Sequence, residues 1–163
     1  MPSSYAARVA DGEFQNPFVL PLEVRVPERH DRVDLYLPDK ATAPSPLLAD
    51  WLRRPPGWLR CVAASYPLLA PLPGWEVDPR FRPVEAVASA GDLPIVLTRV
   101  GRERPPLAAT VEAFTEAADR CGARLEIIDV PGGQHAFDML DHTDESRQAV
   151  RRALSAVLAV LAE

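Results

Sequence analysis

"PIVLTRV" (residues 94–100), "PPLAATVEAFTEAADRCG" (105–122) and "RLEIIDV" (124–130) form the run that sets the fold. The first piece has few polar breaks, as expected of a strand covered on both faces. In the second, Leu107, Val111, Phe114, Ala118 and Cys121 recur at helical spacing and make one apolar stripe. Gly122 follows as a natural C-terminal stop. The third piece reads as another buried strand. Strand, helix, strand at these lengths is a βαβ unit, and its right-handed crossover makes strands 94–100 and 125–130 parallel neighbours.

Downstream lies the loop "PGGQHAFDMLDH" (131–142), then "TDESRQAVRRALSAVLAVLAE" (143–163), a long helix. Val150, Leu154, Val157, Leu158 and Leu161 are expected to face inward, and the acids sit early, where the helix dipole favours them. Upstream, "PVEAVASAG" (83–91) reads as a short helix and "WLRCVAASYP" (58–67) as a short buried strand. "SPLLADWLRRPP" (45–56) reads as a helix with Leu47, Leu48, Trp51 and Leu52 on one face. Ser45 is its candidate cap, Pro46 takes the first helical position, and Pro55 and Pro56 end it. "FVLPLEVRV" (18–26) and "RVDLYLP" (32–38) read as two strands joined by the hairpin loop "PERHD". The expectation is one α/β domain over residues 1–163. A strand pair occupies 1–40, and a mostly parallel sheet with flanking helices occupies 45–163.

A length of 163 residues is enough for one domain with a real core. The net charge of −5 argues against a nucleic-acid partner held through phosphates. No apolar run approaches the roughly 20 residues that cross a bilayer, and the first residues lack a signal pattern. These features place the protein in the cytoplasm, without a membrane partner. Cys61 and Cys121 fit no zinc or redox spacing and are expected to be buried free thiols. No metal or cofactor is expected.

In open parallel sheets, ligands sit beyond the carboxyl ends of the strands. Two loops leave neighbouring strands there: "GRERPP", with Glu103, and "PGGQHAF", with His135. Strands about 4.8 Å apart let a carboxylate on one loop reach an imidazole on the next. Such a carboxylate fixes the histidine tautomer and stabilises the imidazolium. The glycines of the second loop are expected to let the backbone fold back and present the ring. The alternative is that His135 only bonds its own loop. Asp138 and Asp141 read as polar loop and helix-approach positions.

The stretch 93–140, followed by a terminal amphipathic helix, resembles the C-terminal half of an α/β-hydrolase, in its dienelactone-hydrolase and esterase-like branches. In that family the acid follows a "VG-x-[DE]" strand, which "VGRER" matches at Glu103. The base lies in a "GGxHxF" loop, which "GGQHAF" matches at His135. The chain order, acid then histidine, also agrees. "PLLADWLRRPPGWLRCVAASYPLL" resembles the family's nucleophile helix and following strand, so the resemblance spans residues 46–163. It implies hydrolysis of a small ester or lactone.

The family's G-x-S-x-G nucleophile elbow occurs nowhere in the 163 residues. "DKATAPSPLL" stands where the elbow belongs, and only "LPDKATAPS" joins the strand pair to the first helix. The chain reads as an α/β-hydrolase truncated in its middle. Counting back from Pro46 puts Thr42 near the nucleophile position and Ser45 just before the helix. Neither has flanking glycines, and Pro44 and Pro46 restrict Ser45. Ser65, which ends the strand "RCVAAS" (60–65), is a third candidate hydroxyl on the correct sheet edge. Each missing oxyanion donor costs about a hundredfold or more in rate, so the expected hydrolase is impaired or inactive. The alternative is a non-catalytic binding module or a remnant. The outer edge of strand 59–64 is also left free, and is expected to be closed by the N-terminal strand pair or by a homodimer.

Overall fold

The structure, a computed structural model, describes residues 46–162 apart from Val77, Arg80 and Phe81. The N-terminal strand pair, Thr42 and Ser45 lie outside the described residues. The element order is α1 (Pro46–Arg53), β1 (Val62–Ser65), α2 (Pro83–Ala86) with a 3₁₀ turn (Val87–Ser89), β2 (Ile95–Val100), α3 (Pro105–Cys121), β3 (Leu125–Val130), α4 (Phe137–Leu140) and α5 (Asp144–Ala162). The strands form one parallel sheet in the order β1-β2-β3. Val62 aligns with Ile95, and Ile95 with Leu125, so the carboxyl ends of all three strands fall on one rim.

Helices cover both faces. Ile95 and Leu97 of β2 point one way, into a core shared with Leu48, Ala49 and Leu52 of α1, Val87, and Val111, Phe114 and Ala118 of α3. Val96 and Val100 point the other way and meet Ile128, Val130, Phe137 and Ala149. This double cover explains why β2 carries an almost unbroken apolar run. Helix α3 runs as expected: Pro105 opens it, and Gly122 closes it in the left-handed conformation, φ 66°, with its N–H bonded to Ala118 and Asp119.

Five expectations are corrected. β3 is not fully buried: it is an edge strand among the described residues, and Ile127 is 37% exposed. β1 is the opposite edge among the described residues, and Ala63 is exposed. Helix α5 keeps the expected Val150 and Val157 against the sheet, but small residues stand where Leu154 and Leu158 were expected. Ser146 and Ala149 are fully buried, with Val150, Ala153, Ala156 and Val157 packed beside them, while Leu154 and Leu158 are 45% and 55% exposed. Small side chains let the helix lie close to the sheet, and that close packing outweighs burying two leucines. The thiols are free but not buried: Cys61 is half-buried and Cys121 is exposed, past the last inward turn of α3. In α1 the buried face includes Ala49 in place of Trp51, whose ring packs edge-on against Trp58 at 5.9 Å.

Candidate active site

The carboxyl ends of the three strands each deliver one side chain to the same place. Glu103 follows β2, His135 follows β3, and Tyr66 follows β1. His135 Nδ1 lies 2.6 Å from Glu103 Oε2. Glu103 is buried, its side chain 5% exposed, while His135 is 36% exposed. A carboxylate only accepts, so Nδ1 carries the hydrogen and donates it. The neutral ring then keeps its lone pair on Nε2, the form that takes a proton. The second carboxylate oxygen, Oε1, accepts from the backbone N–H of Arg104 at 2.8 Å, which fixes the carboxylate's own orientation.

The two loops are locked together by backbone. Gly101 N–H donates to Val130 O and Arg102 N–H to Gly133 O, both at 2.9 Å. These bonds carry the β2–β3 ladder one step past the strands and set Glu103 opposite His135. They require a glycine at 101, because a Cβ there would stand 2.3 Å from the Pro131 carbonyl oxygen.

The histidine loop is tight, not loose. Gly133 N–H closes a turn onto Val130 O at 2.9 Å, with Pro131 fixing φ at its second position. Neither Gly132 nor Gly133 has a positive φ, so the expected role of these glycines, backbone freedom, is corrected to close approach. A Cβ on Gly133 would meet Val130 Cγ1 at 2.7 Å and Phe137 Cβ at 3.2 Å. The left-handed residue is Ala136, φ 62°, which starts α4. Gln134 donates through N–H (2.9 Å) and Nε2 (2.5 Å) to Asp141, and Gly132 N–H donates to Glu145 at 3.2 Å. Phe137, 1% exposed, anchors the loop in the core. Asp141 is thus the loop-approach residue the sequence suggested.

Asp138 does more than that. It accepts a hydrogen bond from the Tyr66 hydroxyl at 3.0 Å. Burial and then the Asp138 carboxylate push the Tyr66 phenol well above its ordinary range, so it stays a donor at neutral pH. The Tyr66 ring lies 4.7 Å from the His135 ring, at 61°. Its backbone N–H donates to Thr98 O at 2.8 Å, and its φ is 41°, a conformation few non-glycine residues adopt. Sequence reasoning passed over Tyr66. The available signal was a tyrosine at the carboxyl end of a strand, followed by Pro67.

Of the candidate hydroxyls, Ser65 is half-buried at the last position of β1, paired in register with Thr98. Among the described residues, no hydrogen bond joins it to His135. Ser45 and Thr42 lie outside the described residues. Also among the described residues, no group of three His, Cys, Asp or Glu side chains could hold a metal ion. No helix there is long and apolar enough to cross a membrane.

No family model and no curated protein matches the chain. Among solved structures it is similar to a "Putative Dienelactone Hydrolase" from Klebsiella pneumoniae subsp. pneumoniae, with a TM-score of 0.52 and 21% identity. The match covers 70% of this chain and 47% of that one, so the chain spans about half the length of its structural neighbour. The fold is therefore α/β-hydrolase-like, as the sequence resemblance implied.

Proposed function

We propose that Glu103 and His135 form the acid–base pair of an ester- or lactone-hydrolase site, in a chain with impaired or no turnover for want of a nucleophile elbow. The observation that carries this reading is the 2.6 Å contact between an Nδ1–H and a buried carboxylate at the carboxyl rim of adjacent parallel strands. In such a site the imidazole takes the proton of an attacking hydroxyl and returns it to the leaving group. Ser65, Ser45 and Thr42 are the candidate attackers. A small ester or lactone is the proposed substrate, and two free thiols favour a reducing compartment such as the cytoplasm.

One observation favours a second reading, a non-catalytic module. The chain contains no G-x-S-x-G, and no hydroxyl is hydrogen-bonded to His135 among the described residues. Hydrolysis of short-chain p-nitrophenyl esters, run beside His135→Ala and Glu103→Gln, separates the two. Activity that both variants lose supports the hydrolase; equal background rates in all three support the module. The β1 edge is open among the described residues, and a homodimer paired through it is the proposed assembly, closure within the chain being the alternative. Sedimentation distinguishes a monomer from a dimer.

A further inference from the structure

Tyr66 sits on the same rim as Glu103 and His135, yet the acid–base chemistry gives it no task. A glycine would take its positive φ without strain, and a bulky side chain there is uncommon. What the tyrosine gains is a defined set of neighbours. Its hydroxyl donates to Asp138, three residues beyond His135. The Phe137 ring stands behind it at 6.0 Å and 87°. The imidazole of His135 stands at its side, 4.7 Å away and tilted by 61°. The ring is therefore held at its tip, at its back and through its own backbone bond to Thr98. His135, by contrast, has one described hydrogen bond, to Glu103, and is more than a third exposed. A single bond leaves an exposed ring free to swing about it; an edge-on aromatic wall removes that freedom.

We propose that Tyr66 is a positioning residue for His135: its ring, tethered through the hydroxyl to Asp138, packs against the imidazole and keeps Nδ1 on Glu103 and Nε2 free. This rests on the reading of Glu103 and His135 as an acid–base pair. The geometry also assigns Asp138 a part, as the tether that fixes the angle of the tyrosine ring.

The test uses solution NMR of the full chain with ¹⁵N-labelled histidine, His135 being assigned by its loss in His135→Ala. Long-range ¹H–¹⁵N correlations read the ratio of Nδ1–H to Nε2–H tautomer. Wild type is expected to favour Nδ1–H, and Glu103→Gln to remove that preference. Tyr66→Leu should lower the ratio by about fivefold, the population change an edge-to-face ring contact is worth. Tyr66→Phe and Asp138→Ala, which keep the ring but cut its tether, should each lower it by about twofold on the same scale. Asp138→Asn keeps an acceptor and should retain the wild-type ratio, which a purely structural loss would not explain. If Tyr66→Leu does not fold, the Phe and Asp138 variants decide. A Glu103-dependent preference that neither Tyr66→Phe nor Asp138→Ala moves overturns the positioning role alone. A wild-type ring with no such preference overturns the acid–base pair, and this inference with it.

Discussion

Replacing Gly101 with alanine places a methyl carbon 2.3 Å from the Pro131 carbonyl oxygen, 2.8 Å from its Cα and 2.9 Å from its carbonyl carbon. All three are backbone atoms, so no flexible side chain can yield. To reach even 3.0 Å the two loops must part by about 0.7 Å. The bonds that hold them, Gly101 N–H to Val130 O and Arg102 N–H to Gly133 O, start at 2.9 Å. The same movement stretches them to about 3.6 Å, outside hydrogen-bonding range. Two backbone bonds at about 0.5–1.5 kcal/mol each, with an overpacking cost of about 1–3 kcal/mol, give a loss of about 2–6 kcal/mol. For a chain of this size that lowers Tm by about 10 °C. The Glu103–His135 contact opens by a similar distance, so the His135 tautomer preference falls as well. Thermal unfolding followed by circular dichroism, with NMR of His135, measures both effects. Gly57→Ala is the control: its Cβ meets nothing within 4 Å, and its φ is not positive. It should stay within about 0.5 kcal/mol of wild type. If Gly101→Ala melts with Gly57→Ala and leaves the His135 signals unchanged, the locking of the two loops at this glycine is wrong.

A double-mutant cycle of Glu103→Gln and His135→Ala should give a coupling of about 1–2 kcal/mol in urea unfolding. A hydrogen bond to a charged group is worth somewhat more when buried, and partial exposure of the imidazole reduces it; a coupling near zero would mean the contact does not persist in solution. Phe114→Ala removes a 1%-exposed ring from the core between α3 and the sheet and should cost about 3–5 kcal/mol by the same assay. Leu154→Gln and Leu158→Gln should each stay within about 0.5 kcal/mol, whereas Ala149→Leu should cost about 1–3 kcal/mol. The reverse order of those variants would restore the inward leucine face first read for α5.

The βαβ unit was legible because its residues obey one period at a time. Val111, Phe114 and Ala118 mark a single helical face, and Gly122 stops the helix where a left-handed residue is needed. Glu103 and His135 were legible because strand order alone puts the ends of neighbouring parallel strands on one rim. Helix α5 was not, since "AVLAVLA" is apolar nearly all round and no period selects a face. The choice fell to the Ser146, Ala149, Ala153 and Ala156 stripe, which lets the helix approach the sheet. The loop glycines were legible as glycines but not in their role, because freedom of φ and room for a close contact read alike in a sequence. Tyr66 depends on a backbone angle of 41° that no residue name announces.

The supports of the Glu103–His135 pair come almost wholly from residues 94–162. Gly101 and Arg102 bond the next strand's turn, Asp141 and Glu145 hold the histidine loop, and Phe137 anchors it. Among the described residues, these supports of the pair all lie outside the segment where an elbow would stand. Stability does not explain the pair. Glu103 is 5% exposed, and taking an acid out of water costs about as much as a good partner returns. An apolar replacement of both side chains, Glu103→Leu with His135→Phe, should then be at least as stable as wild type in urea unfolding. Glu103→Leu or His135→Phe alone should be less stable, because each leaves a polar group near its lost partner. If the apolar double variant instead loses about 2 kcal/mol or more, the pair is a structural fastening, and the argument that it is there for chemistry fails. If it gains stability, an acid and an imidazole have been kept where a simpler packing would hold the fold, and proton transfer is the property that only they supply.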